Sequence, residues 1–285
     1  MNAAAQPWLT WLYVPGDRPG VVTKALDAGS DVVLVDLEDA VPADRKSYAR
    51  DAVRDLFAEP AAGGPAVHVR VNALDGPRWR DDVTAVAALP GVSGLRLPKV
   101  ADPAAVRQVA ALAAEVRGTL PPAGLYPLLE SALGMENAYA VATAHPRVAG
   151  IALGEADLGA DLGVPPDPGL DWCRSRLVVA ARAAGLPAPA QSVYPDVRDL
   201  DGLARSCERG RALGLLGRTA IHPRQLGTIV RAYLPTEQEI ERAAEVVAAA
   251  REVEGALALP DGRFVDAAVV EGARRVLALA DRVAA

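Results

Sequence analysis

Eight times before residue 235, a short apolar run is followed by an Ala-rich stretch of helical period. This alternation constrains the fold more than any other feature of the chain. The runs lie at about 10–14 (TWLYV), 31–36 (DVVLVD), 66–71 (AVHVRV), 93–98 (SGLRLP), 124–129 (GLYPLL), 148–153 (VAGIAL), 187–193 (PAPAQSV) and 215–221 (LLGRTAI). Helical stretches follow near 20–28, 43–57, 78–88, 102–117, 134–144, 170–184, 199–212 and 223–233. Strand-then-helix units repeated in one domain predict a closed parallel (β/α)8 TIM barrel over 1–235, with a doubly wound open sheet as the alternative. A C-terminal helical extension or lid is expected over 236–285. It opens with Thr236 as an N-cap and Glu239 completing a capping box. A turn at Pro260–Gly262 then precedes a final helix.

Charge and cysteine usage exclude whole function classes. A net charge of −6 argues against a nucleic-acid partner, whose phosphates need a basic footprint. No apolar run is long enough to span a bilayer, so no membrane role is expected. The N-terminus lacks the basic and apolar regions of a secretory leader. Cys173 and Cys207 lie far apart, which fits neither a disulfide framework nor a thiolate metal site, and a reducing cytoplasm is the expected compartment. The only lysines are Lys24, Lys46 and Lys99.

Polar residues fall in a pattern. Alternate residues of a barrel strand face the lumen. That parity groups Leu34, Asp36 and Glu38; His68 and Arg70; Leu95, Leu97 and Lys99; Tyr126, Leu128 and Glu130; and Ile151, Leu153, Glu155 and Asp157. Several strands therefore place a charge at their carboxyl end, the face on which barrel enzymes build their sites.

Glu130 and Asp157 are read as ending adjacent strands. Two facing carboxylates repel unless a proton or a cation bridges them, so the pair is either a Mg2+ site completed by water and substrate or a proton-sharing dyad. Arg70 is a planar fork suited to a substrate carboxylate, or the partner of Glu38 or Asp39 in a structural ion pair. The DLED run, with Asp36, Glu38 and Asp39, would hold water on the metal or orient Arg70 and Lys99 behind that centre, with helix capping as the plainer role for Asp39. PGDRPG at 15–20 opens a helix, where Arg18 and Lys24 could receive a phosphate. It also reads as an ordinary turn. His222 caps a helix or touches a ligand, His68 is read as a hydrogen-bonded core residue, and His145 carries no signal. Lys99 as a Schiff-base nucleophile defines a competing aldolase class, and an aldolase for free 2-oxoacids another.

Taken in order, WLYVPGDRP (11–19), DVVLVDLEDAV (31–41), VRVN (69–72), LPKV (97–100), LLESALGMENA (128–138), ALGEADLGADLG (152–163), GRTAIHPRQL (217–226) and DGRFVD (261–266) resemble the citrate lyase β-subunit-like branch of the HpcH/HpaI aldolase family. That branch includes malyl-CoA and citramalyl-CoA lyases, and the similarity runs over nearly the whole chain. The resemblance implies a barrel, Mg2+, and cleavage or formation of a 3-hydroxyacyl-CoA thioester into an acyl-CoA and a 2-oxoacid. It implies Glu130 and Asp157 as metal ligands and Arg70 as the grip on the oxoacid carboxylate. Arg18 and Lys24 fall at CoA-contacting positions, and Asp266 resembles the acid/base that related lyases lend to a neighbouring subunit. A homo-oligomer, trimer or hexamer, is expected. A citrate lyase β-type subunit acting on a carrier-linked thioester, or a non-catalytic CoA-ester-binding subunit, is the alternative.

Overall fold

Five of the expected apolar runs form strands close to their expected bounds: β1 (Thr10–Pro15), β2 (Val32–Asp36), β3 (Ala66–Arg70), β4 (Gly94–Leu97) and β5 (Gly124–Leu129). Two shorter ones follow, β6 (Ala152–Leu153) and β7 (Arg218–Ala220). The computed structural model describes residues 7–59, 63–165, 167–252, 256–259 and 261–282. The seven strands are parallel, in the order β6-β5-β4-β3-β2-β1-β7. Val32, Val33, Leu34 and Val35 of β2 are fully buried. Apolar residues on both faces of a central strand are what a parallel sheet covered by helices requires.

The sheet does not close into the expected eight-stranded barrel. The run at 187–193 contributes one parallel bridge, Gln191 to Arg218, instead of a strand. Pro187 and Pro189 lack the N–H groups that a ladder needs, which confines this segment to single contacts. Gln191 N donates to Gly217 O at 2.9 Å, and Leu216 N donates to Pro189 O at 2.9 Å. The other edge, β6, has two residues because the helix Glu155–Leu162 begins just after it. The expected helix over 134–144 is likewise two short ones, Ala132–Glu136 and Ala138–Ala142. They meet at Asn137, whose side chain donates to Ala101 O at 2.8 Å.

The chain divides into two compact units, one of residues Trp8–Ile229, the other running from Val230 with Pro7 of the N-terminus. The first holds the parallel sheet and both cysteines, which are buried free thiols. In the second, the helix Glu237–Glu252 opens on the expected capping box: Thr236 N donates to Glu239 Oε2 at 2.8 Å, and Glu239 N to Thr236 Oγ1 at 3.2 Å. An antiparallel hairpin of β8 (Leu257–Ala258) and β9 (Phe264–Val265) leads into the helix Ala267–Ala280. Val270 and Ala273 of that helix join Ala243, Val246, Leu259 and Val265 in a small core. Among the described residues no helix is long and apolar enough to cross a membrane.

Candidate active site

The carboxyl ends of the strands surround a cavity of about 530 Å3. Every strand of the sheet lines it: Tyr13, Asp36, Arg70, Arg96, Leu128, Leu153 and Thr219 come from β1 to β7 in turn, and Gln191 from the bridging segment. The sheet therefore curls around the cavity although its ladder stays open. Register places Asp36, Arg70, Arg96 and Tyr126 side by side across four strands.

Arg70 is held from behind. Its Nε and Nη2 donate to the two oxygens of Asp36, both at 2.7 Å. Its Nη1 lies 3.0 Å from Glu38 Oε2 and 3.4 Å from Asp39 Oδ2. Asp36 is itself buried and accepts from Glu38 N at 2.8 Å and Ala40 N at 3.0 Å, so the DLED turn is wound around one carboxylate. Burial works against the charge of Arg70, but these carboxylates hold its guanidinium well above its ordinary value. The ion pair expected with Glu38 and Asp39 is present, and Asp36 is the stronger partner.

Lysines clamp the same turn. Lys99 Nζ lies 2.9 Å from Glu38 Oε1, and Lys46 Nζ donates to the carbonyls of Leu37 and Glu38 at 2.9 and 2.7 Å. Lys99 has φ +53°, a left-handed backbone for a residue with a side chain. This turn aims its N–H at Glu130 Oε1, 2.5 Å away, while its ammonium goes to Glu38. Burial alone would draw the ammonium down, but the hydrogen bond and charge of Glu38, with Asp39 and Glu130, hold it above its ordinary value. A Schiff-base nucleophile must be neutral to attack. Borohydride reduction with pyruvate bound is therefore expected to leave the protein mass unchanged, and a gain localised to Lys99 would overturn this.

Glu130 sits just past β5, buried, with Asp157 in hydrogen-bonding reach. Burial pushes the Glu130 carboxyl up to about 8; the Lys99 N–H pulls against this and Asp157 adds to it. Asp157 does not end a strand as expected. It lies exposed in the first turn of the helix Glu155–Leu162, because Gly154 starts the helix immediately after β6. A side chain at Gly154 would collide with the Glu130 carboxyl, so this glycine makes room for the pair. Glu155, which shares the parity of Asp157, is instead paired with buried Arg174: Nε donates to Oε1 at 2.9 Å and Nη2 to Oε2 at 2.5 Å.

Arg96 was missed by the parity reading, which put Leu95 and Leu97 in the lumen. Both leucines are fully buried and do not line the cavity, whereas Arg96 does. Gly94 packs so closely under the His68 ring that a side chain there would overlap it. His68 is buried against Tyr126, ring centroids 4.3 Å apart, and burial lowers it to about 3. It is a neutral core residue, as expected, but neither ring nitrogen has a hydrogen-bond partner among the described residues. His222 takes the capping role: its Nδ1 accepts from Arg224 N at 3.1 Å.

Arg18 and Lys24 are exposed on and beside the helix Pro19–Leu26 and do not line the cavity. Beside them Asp17 is buried against Arg45 Nε at 2.8 Å. Asp266 belongs to the second unit, where its Oδ1 accepts from Val269 N at 2.9 Å and caps the helix Ala267–Ala280.

A parallel α/β sheet curled round a cavity of convergent carboxylates and arginines defines an enzyme of the α/β class. The chain belongs to the HpcH/HpaI aldolase/citrate lyase family, whose model matches residues 9–223. The enzyme class expected from the motifs, an aldolase-type lyase, is that of this family. A (3S)-malyl-CoA thioesterase from Cereibacter sphaeroides is 37% identical over 100% of this chain and 99% of its own length. The citrate lyase subunit beta of Leuconostoc mesenteroides subsp. cremoris is 34% identical over 95% of this chain and 93% of its own. The fold is similar to the crystal structure of the CitE protein of Mycobacterium tuberculosis in complex with magnesium, acetoacetate and coenzyme A. That likeness has a TM-score of 0.81 and 31% identity, and covers 96% of this chain and 98% of that one.

Proposed function

We propose that the chain is a Mg2+-dependent carbon–carbon lyase that cleaves, or in reverse forms, a 3-hydroxyacyl-CoA thioester such as malyl-CoA or citramalyl-CoA, with an acyl-CoA and a 2-oxoacid as the other side of the reaction. The observation that carries this is the Glu130–Asp157 pair at the cavity mouth. One carboxyl is buried and raised to about 8, the other is exposed, and their oxygens suit a hard cation. Among the described residues no cluster of three or more His, Cys, Asp or Glu could hold a metal. The pair would supply two ligands, with water and substrate as the others, a donor set that suits Mg2+. Mg2+, when bound, supplies a template and a Lewis acid for the substrate's carboxylate and the oxygen at the carbon to be cleaved.

The chain's own residues divide the remaining work. Arg70 keeps one Nη2 hydrogen that its carboxylates do not take, and directs it at the oxoacid carboxylate. Asp36, Glu38, Asp39 and Lys99 fix that guanidinium in place. Arg18 and Lys24 receive the phosphates of CoA beside the N-terminus of their helix. Asp266, lent by a neighbouring subunit of a trimer or hexamer, takes the hydroxyl proton as the carbon–carbon bond breaks. The electron pair passes into the acyl-CoA fragment as an enolate, which a proton returned at carbon converts to acyl-CoA. Phe264, two residues before Asp266 and 65% exposed, is a large apolar side chain left outside its own core and supports such a contact. A second reading, hydrolysis of the thioester, is favoured by the full-length similarity to a malyl-CoA thioesterase.

The function is tested by incubating the protein and Mg2+ with a panel of 3-hydroxyacyl-CoA esters and assaying glyoxylate, pyruvate and oxaloacetate. Release of an oxoacid supports the lyase, and its absence across the panel refutes it. The metal site makes a separate prediction. A cation must displace the proton from Glu130, so Mg2+ affinity is expected to rise roughly tenfold per pH unit below about 8 and to level off above it. Titration at several pH values checks the slope. Glu130→Gln and Asp157→Asn should each bind Mg2+ weakly, and undiminished binding in both removes the site.

A further inference from the structure

Every buried arginine among the described residues but one has its charge answered. Arg174 is held by Glu155, Asp167 and Asp171. Arg117 donates to the carbonyls of Ala87 and Val92, at 2.6 and 3.1 Å. Arg218 donates to Ser206 Oγ at 2.9 Å. Arg70, nearly as buried, has Asp36 and Glu38. Arg96 is 5% exposed, lines the cavity, and has neither an ion pair nor a hydrogen bond among the described residues. Its neighbours are aromatic: its guanidinium carbon lies 5.7 Å from the centroid of the Tyr126 ring. A guanidinium taken out of water without donors satisfied is costly to the fold. Such a group is retained where an anion arrives to complete it.

We infer that Arg96 is a carboxylate receptor at the floor of the cavity, which takes the second carboxylate of a small dicarboxylic acid. In register Arg96 pairs with Tyr126 of β5, four positions before Glu130, which follows the strand. Arg96 and the Glu130–Asp157 pair line the same cavity, so a small acid held by the pair can turn its far end to Arg96. Arg70, beside it, is already occupied by three carboxylates and has one N–H left, whereas Arg96 offers a whole fork. Burial lowers the guanidinium from its ordinary value and Arg70 adds to this, while Tyr13, Tyr126 and Glu130 oppose it; an incoming carboxylate would oppose it further. The inference rests on the lyase reading for what the mouth of the cavity holds, but not for the anion at its floor.

The experiment uses two stable acids that differ by one carboxylate, malate and lactate, titrated into the intact protein with Mg2+ by calorimetry. Wild type is expected to bind malate roughly ten- to hundredfold more tightly than lactate, as a buried charge-assisted contact gives. In Arg96→Gln that ratio should fall to about one with lactate binding unchanged, a result that a purely structural role for Arg96 does not produce. If Arg96→Gln does not fold, Arg96→Lys decides, a reduced preference supporting the receptor and an unchanged one overturning it. No malate preference in wild type, or a full preference in Arg96→Gln, also overturns it. Arg96-dependent malate selectivity in a protein that cleaves no thioester would end the lyase reading and leave the receptor standing. Cleavage without the selectivity would do the reverse.

Discussion

Asp266→Asn is expected to lower kcat by about 10²–10⁴-fold, the usual cost of removing a general acid/base, with the melting temperature unchanged. The structure sharpens this contrast, because Asp266 also has a visible structural role, capping the helix Ala267–Ala280 through Val269 N. A cap contributes on the order of 1 kcal/mol, and Asn caps about as well as Asp. Asparagine therefore preserves the cap and removes only the proton transfer. Subunit mixing then locates the residue. Inactive Asp266→Asn combined with inactive Glu130→Gln, under conditions that allow exchange, is expected to recover part of the activity, because a mixed oligomer assembles some sites from two intact halves. Full activity in Asp266→Asn would place the base elsewhere. An inactive variant with no rescue, exchange having been confirmed, would assign Asp266 to the site of its own chain.

Arg70→Lys is the second large effect. Lysine keeps the charge and loses the fork, so Asp36, which is 1% exposed, is left with a single point contact in place of two hydrogen bonds at 2.7 Å. Transition-state stabilisation is expected to fall by roughly 2–4 kcal/mol, read as kcat/KM. The melting temperature should fall too, because breaking one partner of a buried pair leaves a charge uncompensated. A variant with near wild-type kcat/KM would show that Arg70 only props the DLED turn.

The strands that the sequence revealed clearly are those buried on both faces. In β2, DVVLVD carries no polar interruption, and its bounds are read almost to the residue. The same property hides orientation. In β4 both faces are covered, so the two leucines of GLRLP carry no information about which side meets the cavity. The legible signal there was the single guanidinium in an apolar strand, which is not buried without a reason. The segment at 187–193 misled for a different cause: its alternation resembles a strand, but its prolines cannot donate to a neighbour. Asp36, Arg70 and Glu130 were legible because a charge at a strand's carboxyl end has few places to go. The pairing of Glu155 with Arg174 joins residues nineteen apart across a helix start, and nothing in either local pattern announces it. Lys46 was likewise one of a few lysines until the structure showed its ammonium on the carbonyls of the DLED turn.

Product analysis of one reaction tests the central claim most directly. With Mg2+ and malyl-CoA, acyl-CoA, oxoacid and free CoA thiol are followed together from the earliest times. Carbon–carbon cleavage predicts glyoxylate and acetyl-CoA rising in equal amounts, with no free thiol ahead of them. Free CoA thiol appearing with malate, and no glyoxylate, would mean that the site hydrolyses the thioester and that the lyase assignment is wrong.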